Sequence, residues 1–209
     1  EDLLHSEKLN NIATFLQKLF LDEKVPVSFG DAGMGISMSL GYMYKLKTIY
    51  GDIIEFPPRS NFIHDIHYFP FMLNEFLCYD KSFTNVKLSK EATYYMKDEA
   101  WLVQRKPAYG FAARGGWNGD SHNHNDVGSF IFSKDNRQVL CDIGLRPYTR
   151  QYFEHEIRYT FLEASSRGHN CPIINGEYQK NIPGARSVST YENGVLKIDF
   201  AKIYGIDAL

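Results

Sequence analysis

The stretch Ser121-His122-Asn123-His124-Asn125-Asp126-Val127-Gly128 sets two imidazoles and a carboxylate within five residues, just ahead of the strand-like run Phe130-Ile131-Phe132. On a strand, side chains two apart share a face, so His122 and His124 are expected to look into the same space. Such a pair serves a metal, a proton transfer, or one of each. The remaining histidines, His5, His64, His67 and His155, fall in no pattern and read as structural or surface residues.

Further along, Val139-Leu140-Cys141-Asp142-Ile143-Gly144 carries a carboxylate inside an apolar run. A buried Asp without a partner is costly, so a cation or a hydrogen-bond network is expected around Asp142. The two apolar runs read as arms of a hairpin whose turn lies in Ser133-Lys134-Asp135-Asn136-Arg137. Regular pairing sets Asp142 opposite Gly128 or Ser129, not His124. For His124 and Asp142 to share one ion, the chain must bend at residues 123–126.

From Ala92 onward the texture is β-rich, with strands expected at 93–96, 100–105, 109–114, 127–132 and 138–142. After the Asn193-Gly194 turn, Leu196, Ile198 and Phe200 alternate as in a half-buried antiparallel strand. Upstream the spacing is helical. Residues 7–21 form an apolar stripe with Ser6 as N-cap, and 36–50 and 67–77 follow the same period, the last aligning Phe69, Met72, Leu73 and Phe76. Val25-Pro26-Val27 breaks the first helix. Gly30-Asp31-Ala32-Gly33-Met34-Gly35 lacks the Gly-Lys-Ser/Thr ending of a phosphate loop and reads as a connection. The fold class is therefore α+β, N-terminal helices followed by an antiparallel β-sandwich layer, with a boundary in the Ser- and Lys-rich residues 80–91.

Gly115-Gly116-Trp117, the His-Asn-His-Asn-Asp run, Cys141-Asp142-Ile143-Gly144, Pro147-Tyr148-Thr149 and Ser165-Ser166-Arg167-Gly168-His169-Asn170, followed by Asn175-Gly176-Glu177-Tyr178-Gln179, occur in an order that resembles the C-terminal part of the heparinase II/III-like polysaccharide lyases. The resemblance covers roughly residues 92–180. It implies that residues 1–85 are the tail of an α/α toroid and 86–209 a β-sandwich domain, incomplete at its C-terminus. It also implies cleavage of uronic-acid polysaccharides by β-elimination. By matching motif, His124, Asp142 and His169 are the implied ligands of a structural zinc, and His122, which faces the cleft in the family, is the implied catalytic residue. Tyr148 matches a Tyr-Thr segment and is the candidate for a second catalytic tyrosine, with Tyr152 and Tyr159 as competitors. The toroid stretch bearing the family's tyrosine base has no match, and the chain is expected to start after it.

The chemistry agrees with these residue types. Loss of the C5 proton from a uronate drives further negative charge onto its carboxylate, which hydrogen-bond donors or cations must neutralise. A His suits that task or proton transfer near neutral pH. Arg114, Arg146, Arg150, Arg158 and Arg167 fall around the proposed site, where each either pairs with a substrate anion or serves as an ordinary surface residue.

With 209 residues, 44% hydrophobic and 15% aromatic, the chain can bury a sizeable core. A net charge of −2 gives no basic surface for nucleic acid or membrane lipid, and no run is long enough to span a bilayer. The expected partner is an acidic polysaccharide or oligosaccharide, and the oligomeric state is not legible. Cys78, Cys141 and Cys171 make no disulfide framework; Cys171, two after His169, is a weak candidate for a fourth metal ligand. The acidic start Glu1-Asp2, without Met, is read as a piece of a longer protein. Family resemblance points to a bacterial glycan-degrading system, periplasmic, exported or cytoplasmic.

Two other readings compete. A cupin-like metalloenzyme also begins its metal site with His-x-His on a strand, but its usual Glu has no counterpart here, since Gly128 stands four after His124. A non-catalytic sandwich that binds glycans, and uses the His/Asp cluster for stability alone, needs no tyrosine base.

Overall fold

The computed structural model describes residues 3–33, 39–57 and 69–206. Helix α1 (Glu7–Ala13) starts where Ser6, in extended conformation, accepts the Leu9 N–H on its hydroxyl. It stops at Thr14, whose hydroxyl donates to the Asn10 carbonyl at 2.8 Å, and the helix expected through residue 21 continues only as the short α2 (Phe15–Lys18). Helix α3 (Leu40–Tyr50) is capped by Ser39 and ends at Gly51, φ +61°. The earlier start expected for it, including Ile36, lies outside the described residues, as do His64 and His67.

Ala13, Phe20, Leu40, Met43, Tyr44, Ile54, Phe56 and Leu88 close one core among these helices. Helix α4 (Phe69–Cys78) packs on α3 at backbone contact: a Cβ on Gly41 would lie 2.3 Å from the Glu75 nitrogen. Because α4 meets α3 through this side, the aligned Phe69, Met72, Leu73 and Phe76 are exposed, Phe76 by 82%. The aligned stripe is therefore uncovered within the described residues.

The strands form an antiparallel five-stranded meander, β1 (Ala92–Met96), β2 (Trp101–Lys106), β3 (Tyr109–Arg114), β4 (Phe130–Lys134) and β5 (Arg137–Leu140), in sequence order. A separate hairpin, β6 (Val188–Glu192) and β7 (Val195–Asp199), turns at Asn193 and Gly194, both at positive φ. Tyr95 Oη donates to the Ser189 carbonyl at 2.9 Å, tying the hairpin to the sheet. The chain is thus a mixed α+β fold, a few N-terminal helices followed by an antiparallel sheet and a hairpin.

Residues 19–29 form a strap across one face of the sheet. Its Leu21, Val25, Val27 and Phe29 bury against Val103, Ala112 and Ile131. Buried Arg105 pins its start, donating from Nη1 to the Gln17 and Phe20 carbonyls at 2.9 Å each. The strap delivers Gly30 and Asp31 to the end of the sheet where β3 gives way to the His-x-His segment.

Candidate active site and metal centre

The His-x-His segment is not a strand. His122 stands at φ +57° and Gly128 at φ +85°, and β4 begins only at Phe130, three residues later than the sequence pattern implies. The bend anticipated at residues 123–126 is present, and it is held from three sides. Asp31 N–H donates to the His122 carbonyl at 3.0 Å, Asn125 N–H to the Ala164 carbonyl at 2.9 Å, and Gly30 N–H to Asp126 Oδ2 at 3.3 Å. Gly30, φ +61°, has the His122 carbonyl oxygen 2.7 Å from where a Cβ would stand, so only glycine permits this approach.

The two imidazoles meet at Asp31 rather than on a pleated face. Asp31 Oδ1 lies 2.9 Å from His124 Nε2 and accepts the Tyr152 hydroxyl at 2.6 Å; Oδ2 accepts the Tyr148 hydroxyl at 2.9 Å and lies 3.3 Å from His122 Nδ1. Arg158 Nη2 stands 3.3 and 3.4 Å from the two oxygens, its guanidinium lying over the Tyr152 ring. The burial of Asp31 pulls its carboxyl upward, but the hydroxyls of Tyr152 and Tyr148, the Arg158 charge and His124 together hold it below the ordinary carboxylate range. Reciprocally, burial and the hydrogen bonds to Asp31 raise both tyrosines, so Tyr148 and Tyr152 keep their protons.

Proton bookkeeping then fixes the imidazoles. Tyr148 spends its one proton on Asp31, so His122 Nδ1, 3.3 Å from the Tyr148 hydroxyl, is the donor in that contact and Nε2 is the nitrogen available to a ligand. His122 has a side chain 69% exposed, whereas that of His124 is fully buried. Burial, first of all, pushes His124 down, toward the neutral ring. With Nε2–H facing Asp31, its Nδ1 is left buried and without a partner among the described residues.

Behind this pair lies a buried trio. Ligand atoms of Asp126, Asp142 and His169 all fall within 4.8 Å of one another. Asp142 Oδ1 accepts the Gly144 N–H at 2.9 Å and Oδ2 lies 2.7 Å from His169 Nδ1; His169 Nε2 donates to the Glu163 carbonyl at 2.9 Å. Burial alone would lower His169, but the Asp142 hydrogen bond and the charges of Asp126 and Asp142 raise it. Arg114 Nη1 approaches Asp126 Oδ1 to 2.8 Å as an ion pair. Three buried oxygen and nitrogen donors of this kind can hold a metal ion. The ring of His124 is 5.2 Å from that of His169, centroid to centroid, but His124 is not one of the three that close within that spacing.

Asp142 reaches the trio because the hairpin slips. A bulge between Phe132 and Ser133 pairs Phe132 with Leu140, and β5 ends there, freeing Asp142 from the ladder position expected of it. Tyr152 is buried against His124, and Tyr159 bonds Asn123, so among the three tyrosines Tyr148 is the one beside His122 at the surface. The five arginines expected around the site all have protein partners: Asp126 for Arg114, Glu163 for Arg146, Glu154 for Arg150, Asp31 for Arg158, and Ser165 with the Thr160 carbonyl for Arg167. Cys171 points its Sγ at the Val127 carbonyl, 3.6 Å away, and burial pushes its thiol up.

Beside His122 opens a cleft of about 470 Å³, lined by Phe29, Asp31, Trp101, Arg114 and Asp120 among others. Asp31 was hidden in a loop whose only sequence cue was a carboxylate between glycines. Asp126 lay in full view within the His-Asn-His-Asn-Asp run.

Searches by sequence find no matching family model and no matching curated protein. The fold is similar to that in a crystal structure of heparinase III, with a TM-score of 0.61 at 14% identity. The match takes in 94% of this chain and 30% of that one, so the chain spans about a third of the structure it resembles. Among the described residues, no helix is long and apolar enough to cross a membrane.

Proposed function

We propose that this chain is part of a polysaccharide lyase that cleaves uronic-acid-containing glycans by β-elimination, with a structural zinc in the β-region. One observation carries the reading: His122, which lines the cleft, has the Tyr148 hydroxyl 3.3 Å from its Nδ1, on a fold like that of heparinase III. In this reading His122 handles charge and protons at the uronate. Its Nε2 accepts a proton or, once protonated, donates to the carboxylate whose charge builds as the C5 proton leaves. Tyr148, kept protonated beside Asp31, turns its hydroxyl from that carboxylate to give its proton to the glycosidic oxygen departing from C4. A tyrosine in the remainder of such a lyase takes the C5 proton, which leaves the new sugar end unsaturated.

Two features support a zinc ion here. His124 presents a buried Nδ1 with no partner among the described residues, and His169 has its Nε2–H fixed on a carbonyl, the backing that metal-holding imidazoles receive. His124, Asp142 and His169 would hold the ion, with Asp126 beside them. When bound it supplies a redox-inert cross-link between the His-x-His loop, the end of the β4–β5 hairpin and the segment at His169.

The test is turnover of uronate polymers by the protein that contains this chain, read by the ultraviolet absorbance of unsaturated uronate ends. His122→Ala is expected to abolish product while metal content stays at the wild-type level. Normal turnover by that variant removes His122 from the mechanism, and chain cleavage without unsaturated ends contradicts a lyase.

A further inference from the structure

We infer that Asp31 is the positioning residue on which the reacting pair and the metal-holding centre both depend; the inference rests on the lyase reading for the identity of that pair. Asp31 faces two ways. Its Oδ2 takes Tyr148 and His122, both at the surface, while its Oδ1 takes His124 and Tyr152, both buried.

Its own placement is over-determined. The Asp31 N–H is bonded to the His122 carbonyl, and Arg158 Nη2 bridges both carboxylate oxygens while donating to the Asn123 carbonyl at 2.7 Å. The preceding Gly30 N–H is held by Asp126, itself one of the buried trio. Asp31 is thereby clamped to the same loop whose side chains it orients.

Two consequences follow from the bonding. An exposed imidazole and an exposed phenol each have several staggered rotamers, and the shared Oδ2 selects the ones that bring His122 and Tyr148 together. On the buried side, the carboxylate behind His124 Nε2 keeps the proton on that nitrogen and the lone pair on Nδ1, the tautomer a metal requires. Asp31 acts through these side chains and need not touch substrate.

The test uses this chain, the zinc ion alone as probe, and fluorotyrosine labelling, with the Tyr148 resonance in the fluorine NMR spectrum assigned from Tyr148→Phe. Asp31→Ala is expected to weaken zinc binding, measured by chelator competition, by about 10–100-fold. It is also expected to move the Tyr148 resonance to the position of a solvent-exposed tyrosine, whereas Tyr148→Phe leaves zinc affinity unchanged. In the protein that turns over a uronate polymer, the same substitution lowers kcat and leaves KM near its wild-type value. Should the Ala variant not fold, Asp31→Asn keeps the shape without the charge and is expected to move both readouts in the same directions. A folded variant with only one of the two effects overturns the dual role, and one with neither overturns the inference altogether. A wild-type chain that binds no zinc overturns the metal-holding half together with the zinc reading; the Tyr148 resonance and kcat then decide the other half.

Discussion

Asp31 Oδ1 and His124 Nε2 meet at 2.9 Å across 93 residues of sequence, joining the strap under the sheet to the loop that follows it. This contact makes the buried half of the site a product of the whole fold rather than of the His-x-His run alone. Its acid dependence follows. The folded Asp31 carboxyl is held below its ordinary value near 3.8, so its contribution to stability is fully present above that pH and is lost as pH falls through the lower, folded value. Acid unfolding followed by circular dichroism is expected to show less loss of stability below about pH 4 in Asp31→Asn than in the wild type.

Gly30→Ala is expected to destabilise the chain by about 1–3 kcal/mol, through the strained positive φ and the clash with the His122 carbonyl. Urea unfolding measures the cost. A neutral result would mean that strap and loop do not approach as closely as described.

The buried pair of His169 and Asp142, 2.7 Å apart, predicts a larger effect. His169→Ala leaves the Asp142 carboxylate buried without its main partner, and roughly 3–5 kcal/mol of the metal-free chain's stability is expected to disappear. A loss under 1 kcal/mol would show that Asp142 escapes to solvent.

Tyr148→Phe removes the proton assigned to the leaving oxygen without disturbing the buried trio. Turnover of a uronate polymer by the protein containing this chain is expected to fall by about 10²–10⁴-fold, the usual contribution of a general acid. Unchanged turnover would transfer that role to another donor.

Local patterns were legible in the sequence. Strands β1, β2 and β3 lie within one residue of where alternation puts them, and the β4–β5 turn falls on Asp135 and Asn136, residues that accept positive φ. The convergence of the site was not. Asp31 is far along the chain from everything it bonds, and no local propensity marks it. The strand geometry assumed for His122 and His124 failed because His122 adopts a left-handed backbone, with its carbonyl bonded to the Asp31 N–H. The slip of Asp142 out of register depends on a bulge that the apolar pattern of the hairpin does not encode.

The most direct test of the central claim is the metal content of the purified, zinc-equilibrated chain by elemental mass spectrometry, beside His124→Ala and His169→Ala. About one zinc per chain is expected in the wild type, held by His124, Asp142 and His169, with its loss in both variants. A folded chain without metal would contradict the ligand assignment and leave a glycan-binding or purely structural β-layer. Iron in place of zinc would favour a cupin-like metalloenzyme.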